Sequence, residues 1–161
     1  MIDLWERHTR YEFELKDADQ AVSTMVADAS VMHVPTMSGG FGRDALRTYY
    51  ADSFIPSTPP DTTVELLARS VGDDVIVDEC LMALTHDRVI PHLLPGVAPT
   101  GRSLEVVFVV VVKFRDSLML SERLYWDQAQ VLAQARLIAG NQLRLPALEE
   151  VTRLMRASVR H

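Results

Sequence analysis

The chain has a single cysteine, Cys80, in 161 residues. One thiol cannot form an intramolecular disulfide, and it excludes a metal site built on several thiolates. Long apolar runs are missing too. The longest, Val106 to Val112, falls far short of the ~20 residues that a membrane-crossing helix needs. Positive charge is scarce: 16 Lys and Arg stand against 22 Asp and Glu, a formal net charge of −6. No basic cluster offsets that balance, which argues against nucleic acid as a partner, because phosphate contacts need a basic face. Residues Met1 to His8 mix acid and base where a signal peptide needs an apolar stretch. A cytoplasmic, reducing compartment away from membranes is the expectation. Internal repeats, low-complexity tracts and polar linkers are also absent. What remains is 48% hydrophobic and 24% charged, enough to bury the core of one globular domain.

Hydrophobic spacing organises that domain. Residues 3–15 read as a helix with Trp5, His8, Tyr11 or Glu12, and Leu15 on one side. Asp17 or Asp19 can cap a second helix with the stripe Ala21, Val22, Met25, Val26 and Ala29. Val31 to Thr36 reads as a short strand ending near Pro35, and Gly39-Gly40 turns the chain into a third helix over 43–54. That helix carries Leu46, Tyr49, Tyr50 and Phe54 and stops at Pro56. The period then becomes that of sheet. Strands are expected at 62–71 and 75–86 around the Gly72-Asp73-Asp74 turn, at 103–114, and at 118–126. A helix over 127–138 should close at Gly140-Asn141, with a last amphipathic helix after Pro146.

Strands that follow helices and are joined by hairpins define an α+β fold with a mainly antiparallel sheet. Such a sheet, curved into a cone-shaped half-barrel around helices, leaves a cavity suited to a ligand. Residues 1–140 would form this domain and 141–161 a C-terminal helical extension of it. The stretch 106–112 is apolar on both faces, so a second subunit is expected against the outer face, giving a homodimer.

The element order resembles the nuclear transport factor 2-like superfamily, and local motifs resemble its SnoaL-like branch. Those motifs are His33-Val-Pro-Thr36 with Gly39-Gly40, Val77-Asp-Glu79, Thr85-His-Asp87, Leu94-Pro-Gly96 with Pro99-Thr-Gly101, and Tyr125-Trp-Asp-Gln128 with Val131-Leu132. The resemblance covers about residues 4–140 and implies polyketide cyclase, ketosteroid isomerase, dehydratase or epoxide hydrolase chemistry, or binding alone. It implies an acid–base role for Asp127. It also implies an Arg-x-Asp pair for epoxide hydrolysis, where this chain has Glu79 and Leu81 instead. His92 stands where the branch has an aromatic residue such as Trp.

Asp127 can act as a helix N-cap or as a general acid or base in an apolar cavity. Alternation puts Glu79, Leu81, Ala83 and Thr85 on one face of their strand, and Asp78, Cys80, Met82, Leu84 and His86 on the other. Glu79 is taken as the inward carboxylate. His33 and His86 are candidates for proton transfer, or else core histidines. His33, His86 and His92 lack the close spacing of metal ligands, so no metal is expected. Tyr49, Tyr50 and Tyr125 can donate to an oxyanion, with one of Tyr49 and Tyr50 reaching the cavity. Trp126, Phe108 and His92 would shape the binding surface. The expected activity is isomerisation, cyclisation or dehydration of an apolar small molecule without a cofactor. Non-catalytic binding and water-activating hydrolysis are the alternatives.

Overall fold

The computed structural model describes residues 1–139 and 145–158. Helix α1 (Ile2–Phe13) buries Leu4, Trp5, His8 and Glu12, one face at helical spacing. Leu15 does not join that stripe; it lies beyond the helix and is 54% exposed. Helix α2 (Ala18–Ser23) begins at Asp17, whose carboxylate accepts from the Gln20 backbone N–H. The expected continuation to Ala29 does not form. Strand β1 (Met25–His33) takes over, and its register against β6 shifts between Met25 and Ser30. That irregularity buries Met25, Val26, Ala29 and Val31 together, so a bulged strand reproduces the apolar spacing of a helix.

A second short strand, β2 (Ser38–Phe41), pairs with β1 where only a turn was expected. Gly39 makes this possible: its φ is +138°, and a Cβ there would collide with the Val31 carbonyl oxygen. Helix α3 (Arg43–Tyr49) runs into a π-helical turn (Tyr50–Phe54) and a last turn, α4 (Ile55–Ser57). Pro56 therefore does not stop the helix. The Ile55 N–H reaches back to the Tyr50 carbonyl, and the wider turn accepts proline at the start of the next one. Leu46, Tyr49, Tyr50 and Phe54 are all buried.

The remaining strands are β3 (Thr63–Val71), β4 (Val75–Thr85), β5 (Ser103–Arg115) and β6 (Leu118–Trp126). The sheet runs β2-β1-β6-β5-β4-β3, antiparallel except for the β1–β6 pair. This is the expected α+β half-barrel. Register shifts in β1/β6, β3/β4 and β5/β6 bend the strands, so the sheet curves around α1–α4. Its concave face presents Ile76, Val110, Val112 and Met119 to Leu4, Val22 and Leu46, each worth about 1.5–3 kcal/mol when fully buried. A second cluster joins Ile90, Leu93 and Leu94 to Leu104 and Val131. The 86–102 crossover thus plugs one end of the sheet through buried leucines.

Helix α5 (Gln128–Gln134) is shorter than expected, and α6 (Leu148–Ser158) follows Pro146. The C-cap expected at Gly140-Asn141 lies outside the described residues. The outer sheet face meets α6 in a shallow groove that joins Val107, Val109 and Tyr125 to Leu148 and Val151. Arg156 pairs with Glu65, and Gln130 Nε2 donates to the Pro146 carbonyl. No helix among the described residues is long and apolar enough to cross a membrane.

Candidate active site

Between α1 and the concave sheet lies a cavity of about 390 Å³. Its walls are largely apolar, with Val64, Leu66, Met82, Leu84, Val106, Phe108, Val110 and Leu124 among the lining residues. Exposed Glu6 and Arg10 of α1, with Glu14 just beyond it, and exposed Val64 and Leu66 of β3 also line the cavity.

The carboxylates inside are not the expected ones. Asp127 is exposed and outside this cavity, and its Oδ1 accepts from the N–H groups of Ala129 and Gln130 as the N-cap of α5. Glu79 points to the convex side. Asp78, Cys80, Met82 and Leu84 take the concave one, because β4 pairs Asp78 with Val110 and Cys80 with Phe108, both facing the cavity. Buried Asp78 is satisfied by Arg69, which donates from Nε and Nη2 at 2.8 Å each, and by Trp5 Nε1 at 2.8 Å. Arg69 also donates to Glu6 at 2.9 Å. This cluster fastens α1 to the sheet.

At the cavity's base, α1 and β6 bring His8, Glu12 and Glu122 together. All three are buried, His8 completely. His8 Nε2 lies 3.2 Å from Glu12 Oε1, 3.7 Å from Glu122 Oε2 and 3.2 Å from the Tyr50 hydroxyl. Thr24 donates to the Ala21 carbonyl, so His8 Nδ1–H donates to Thr24 Oγ1 at 2.7 Å and approaches Ala21 O at 3.1 Å. The ring is thereby oriented with Nε2 toward the carboxylates. Burial, the largest single effect, disfavours the imidazolium, but Glu12 and then Glu122 outweigh it and raise the pKa to about 10. Glu122 is raised above the ordinary carboxylate value by burial first and by Glu12 second, against the pull of His8. Its Oε2 has no hydrogen-bond partner. Donor atoms of these three residues lie within 4.8 Å of one another, close enough to share a cation. With His8 charged, its own N–H occupies that position.

Tyr50 lines the cavity, whereas Tyr49 sits behind it and places its hydroxyl 3.2 Å from His33 Nδ1. Burial pushes the Tyr50 phenol well above its ordinary value, so it remains a donor. His33, His92, Phe108 and Trp126 also line the cavity. Tyr125 does not: alternation turns it to the convex side, 41% exposed. His86 is buried away from the cavity, where its Nδ1 meets the Thr100 hydroxyl at 3.0 Å and accepts from the Thr100 N–H at 3.3 Å. It secures the 86–102 crossover.

Sequence reasoning missed Glu122, Asp78 and the pairing of His8 with Glu12. The signals were present. Glu122 shares the inward face of β6 with Leu124 and Trp126, while His8 and Glu12 stand one turn apart on an apolar helical stripe.

A curved six-stranded sheet closed by N-terminal helices over a cavity is the nuclear transport factor 2-like fold, to which polyketide cyclases and ketosteroid isomerase-like proteins belong. Residues 5–121 match the SnoaL-like domain family, and the chain belongs to it. Among solved structures, it is similar to a proposed SnoaL-like polyketide cyclase from Jannaschia sp. CCS1, with 18% identity and a TM-score of 0.65 over 86% of this chain and 94% of that one. IdmH of Streptomyces antibioticus, a proposed polyketide cyclase, gives 21% identity and a TM-score of 0.62 over 83% and 96%. SalBIII, an epoxide hydrolase/cyclase-like enzyme of pyran ring formation in salinomycin, gives 17% identity and 0.60 over 80% and 92%. At these identities the likeness is one of fold. No curated protein matches the chain.

Proposed function

We propose that this chain is a cofactor-independent acid–base enzyme that isomerises, cyclises or dehydrates a mostly apolar small molecule, with Glu122 as its proton-transfer group. The observation that carries this reading is Glu122 itself: a buried carboxyl, raised in pKa, with an unpartnered oxygen at the base of an apolar cavity. A carboxyl in that state holds its proton more readily than one in water, and its carboxylate is a stronger base. Removing a proton next to a carbonyl breaks the C–H bond; its electron pair forms the C=C bond, and the carbonyl π pair moves to oxygen. Glu122 takes the proton. Returning it to another carbon completes an isomerisation, while expelling a β-hydroxyl with that proton completes a dehydration. The Tyr50 hydroxyl lies within reach of His8 and supplies a neutral donor for the developing oxyanion.

The test is deuterium incorporation at the enolisable carbons of 2-tetralone in D₂O, followed by NMR. Wild type should exchange them faster than buffer, and Glu122→Gln should lower the rate by ~10²–10⁴-fold. A Glu122→Gln rate within twofold of wild type, or no catalysed exchange at all, would overturn the assignment.

A homodimer through the convex face belongs to the same proposal. Val107, Val109 and Val111 are only partly covered there, and α6 occupies one part of that surface.

A further inference from the structure

The cavity holds a second polar spot that the acid–base reading does not use. His33, at the end of β1, and His92, in the crossover, line the cavity with ring centroids 5.2 Å apart. Aromatic rings surround them: Phe54 lies 4.8 Å from His92, and Trp126 5.9 Å from His33. The Ser57 hydroxyl donates to the Phe54 carbonyl at 3.2 Å. His92 Nδ1 lies 3.4 Å from Ser57 Oγ; with its proton on Nδ1 the ring donates there and leaves Nε2 as an acceptor. Thr36 fixes the backbone behind it by donating to the His92 carbonyl at 2.8 Å. A ligand hydroxyl donating to Nε2 would add about 0.5–1.5 kcal/mol, the net value of one hydrogen bond.

The register sets its distance from the acid–base group. Val31 pairs with Glu122 and His33 with Leu124, so His33 and Glu122 lie diagonally on adjacent strands, about 8 Å apart at their Cα atoms. Burial lowers the pKa of both histidines, that of His33 to about 4, so neither ring is charged at neutral pH. A pair of neutral imidazoles among aromatic rings favours a neutral group over a carboxylate or phosphate.

We infer that His92, with His33 beside it, forms a hydroxyl-binding subsite: the substrate is a neutral, largely apolar molecule carrying a phenolic, enolic or alcoholic O–H away from the carbon at which Glu122 moves a proton. The inference rests on the Glu122 reading for the substrate's second functional group, but the subsite can be tested by binding alone. His92 then determines specificity by accepting from that hydroxyl and touches no reacting atom.

Isothermal titration with 2-naphthol and with 2-methylnaphthalene tests it. These probes share one ring system and nearly one size and differ by one hydroxyl. Wild type should prefer the naphthol by about three- to tenfold, the value of one net hydrogen bond. His92→Phe keeps an aromatic ring but removes the acceptor, and should bring the preference close to one. His92→Gln, whose amide oxygen can accept from a similar place, should restore at least half of it. ¹⁵N imidazole shifts in free wild type should show His92 protonated at Nδ1 only. Equal binding of both probes by wild type, saturable binding of neither, or an undiminished preference in His92→Phe would each overturn the subsite. A preference lost in His92→Phe while 2-tetralone exchange is absent would uphold the subsite and reject only the Glu122 mechanism.

Discussion

Replacing His8 by Phe should destabilise the chain strongly. Phe is close to His in size and can fill the space beside Trp5, whose ring stacks 5.8 Å from His8, so the main effect is electrical. The imidazolium now stands 3.2 Å from Glu12 and 3.7 Å from Glu122 in a site closed to water. Its loss leaves buried carboxyls without their counter-charge, which costs about 3–5 kcal/mol. For a chain of this length, calorimetry at pH 7 should show Tm lower by about 6–20 °C. Adding Glu12→Gln to the variant removes the stranded charge and should recover part of that loss. The sign with pH follows from the direction of the shift. The folded pKa of His8, about 10, lies above the ordinary 6.5. The imidazolium therefore contributes its full stabilisation below about pH 6.5, and loses it as pH rises through about 10. The gap in Tm between wild type and His8→Phe should narrow over that interval. A gap under 2 °C at pH 7, or one that widens toward pH 10, would refute a charged His8.

Asp127→Ala should cost about 1 kcal/mol in urea unfolding, the loss of a cap, and leave 2-tetralone exchange within twofold. A hundredfold loss of exchange would return Asp127 to the chemistry. Cys80 lines the cavity but is buried, and burial first, with Asp78 second, raises its thiol to about 12. Its reaction with iodoacetamide at pH 8 should be at least tenfold slower in the native chain than in denaturant, because the thiolate is the nucleophile. Sedimentation at micromolar concentration should show a dimer. A monomer would remove the proposed convex interface.

Much of the architecture was legible because it depends on local chemistry. The Gly72-Asp73-Asp74 turn, the alternation of β3 to β6 and the apolar stripe of α3 are written in the order of side chains. The first errors came where two periods coincide. Met25, Val26, Ala29 and Val31 satisfy a helical spacing and also a bulged strand, and only pairing with β6 selects the second. Gly39-Gly40 read as a turn because a strand of glycines has little side chain to show its alternation; its partner on β1 makes it a strand.

The site divides in the same way. By itself the sequence determined that the chain would fold as α+β and that a curved sheet would wrap helices, while it left open which of Tyr49 and Tyr50 would reach the cavity. Which carboxylates entered the cavity was decided by tertiary structure. A strand can show either face to the core, and a one-residue change of register exchanges them. Pairing with β5 turned Asp78 inward and Glu79 outward. The meeting of His8 and Glu12 with Glu122 spans most of the chain, and no local pattern can fix a distance between residues that far apart. It arises because α1 is fastened across the open sheet by Trp5 and Glu6, which hold Asp78 and Arg69.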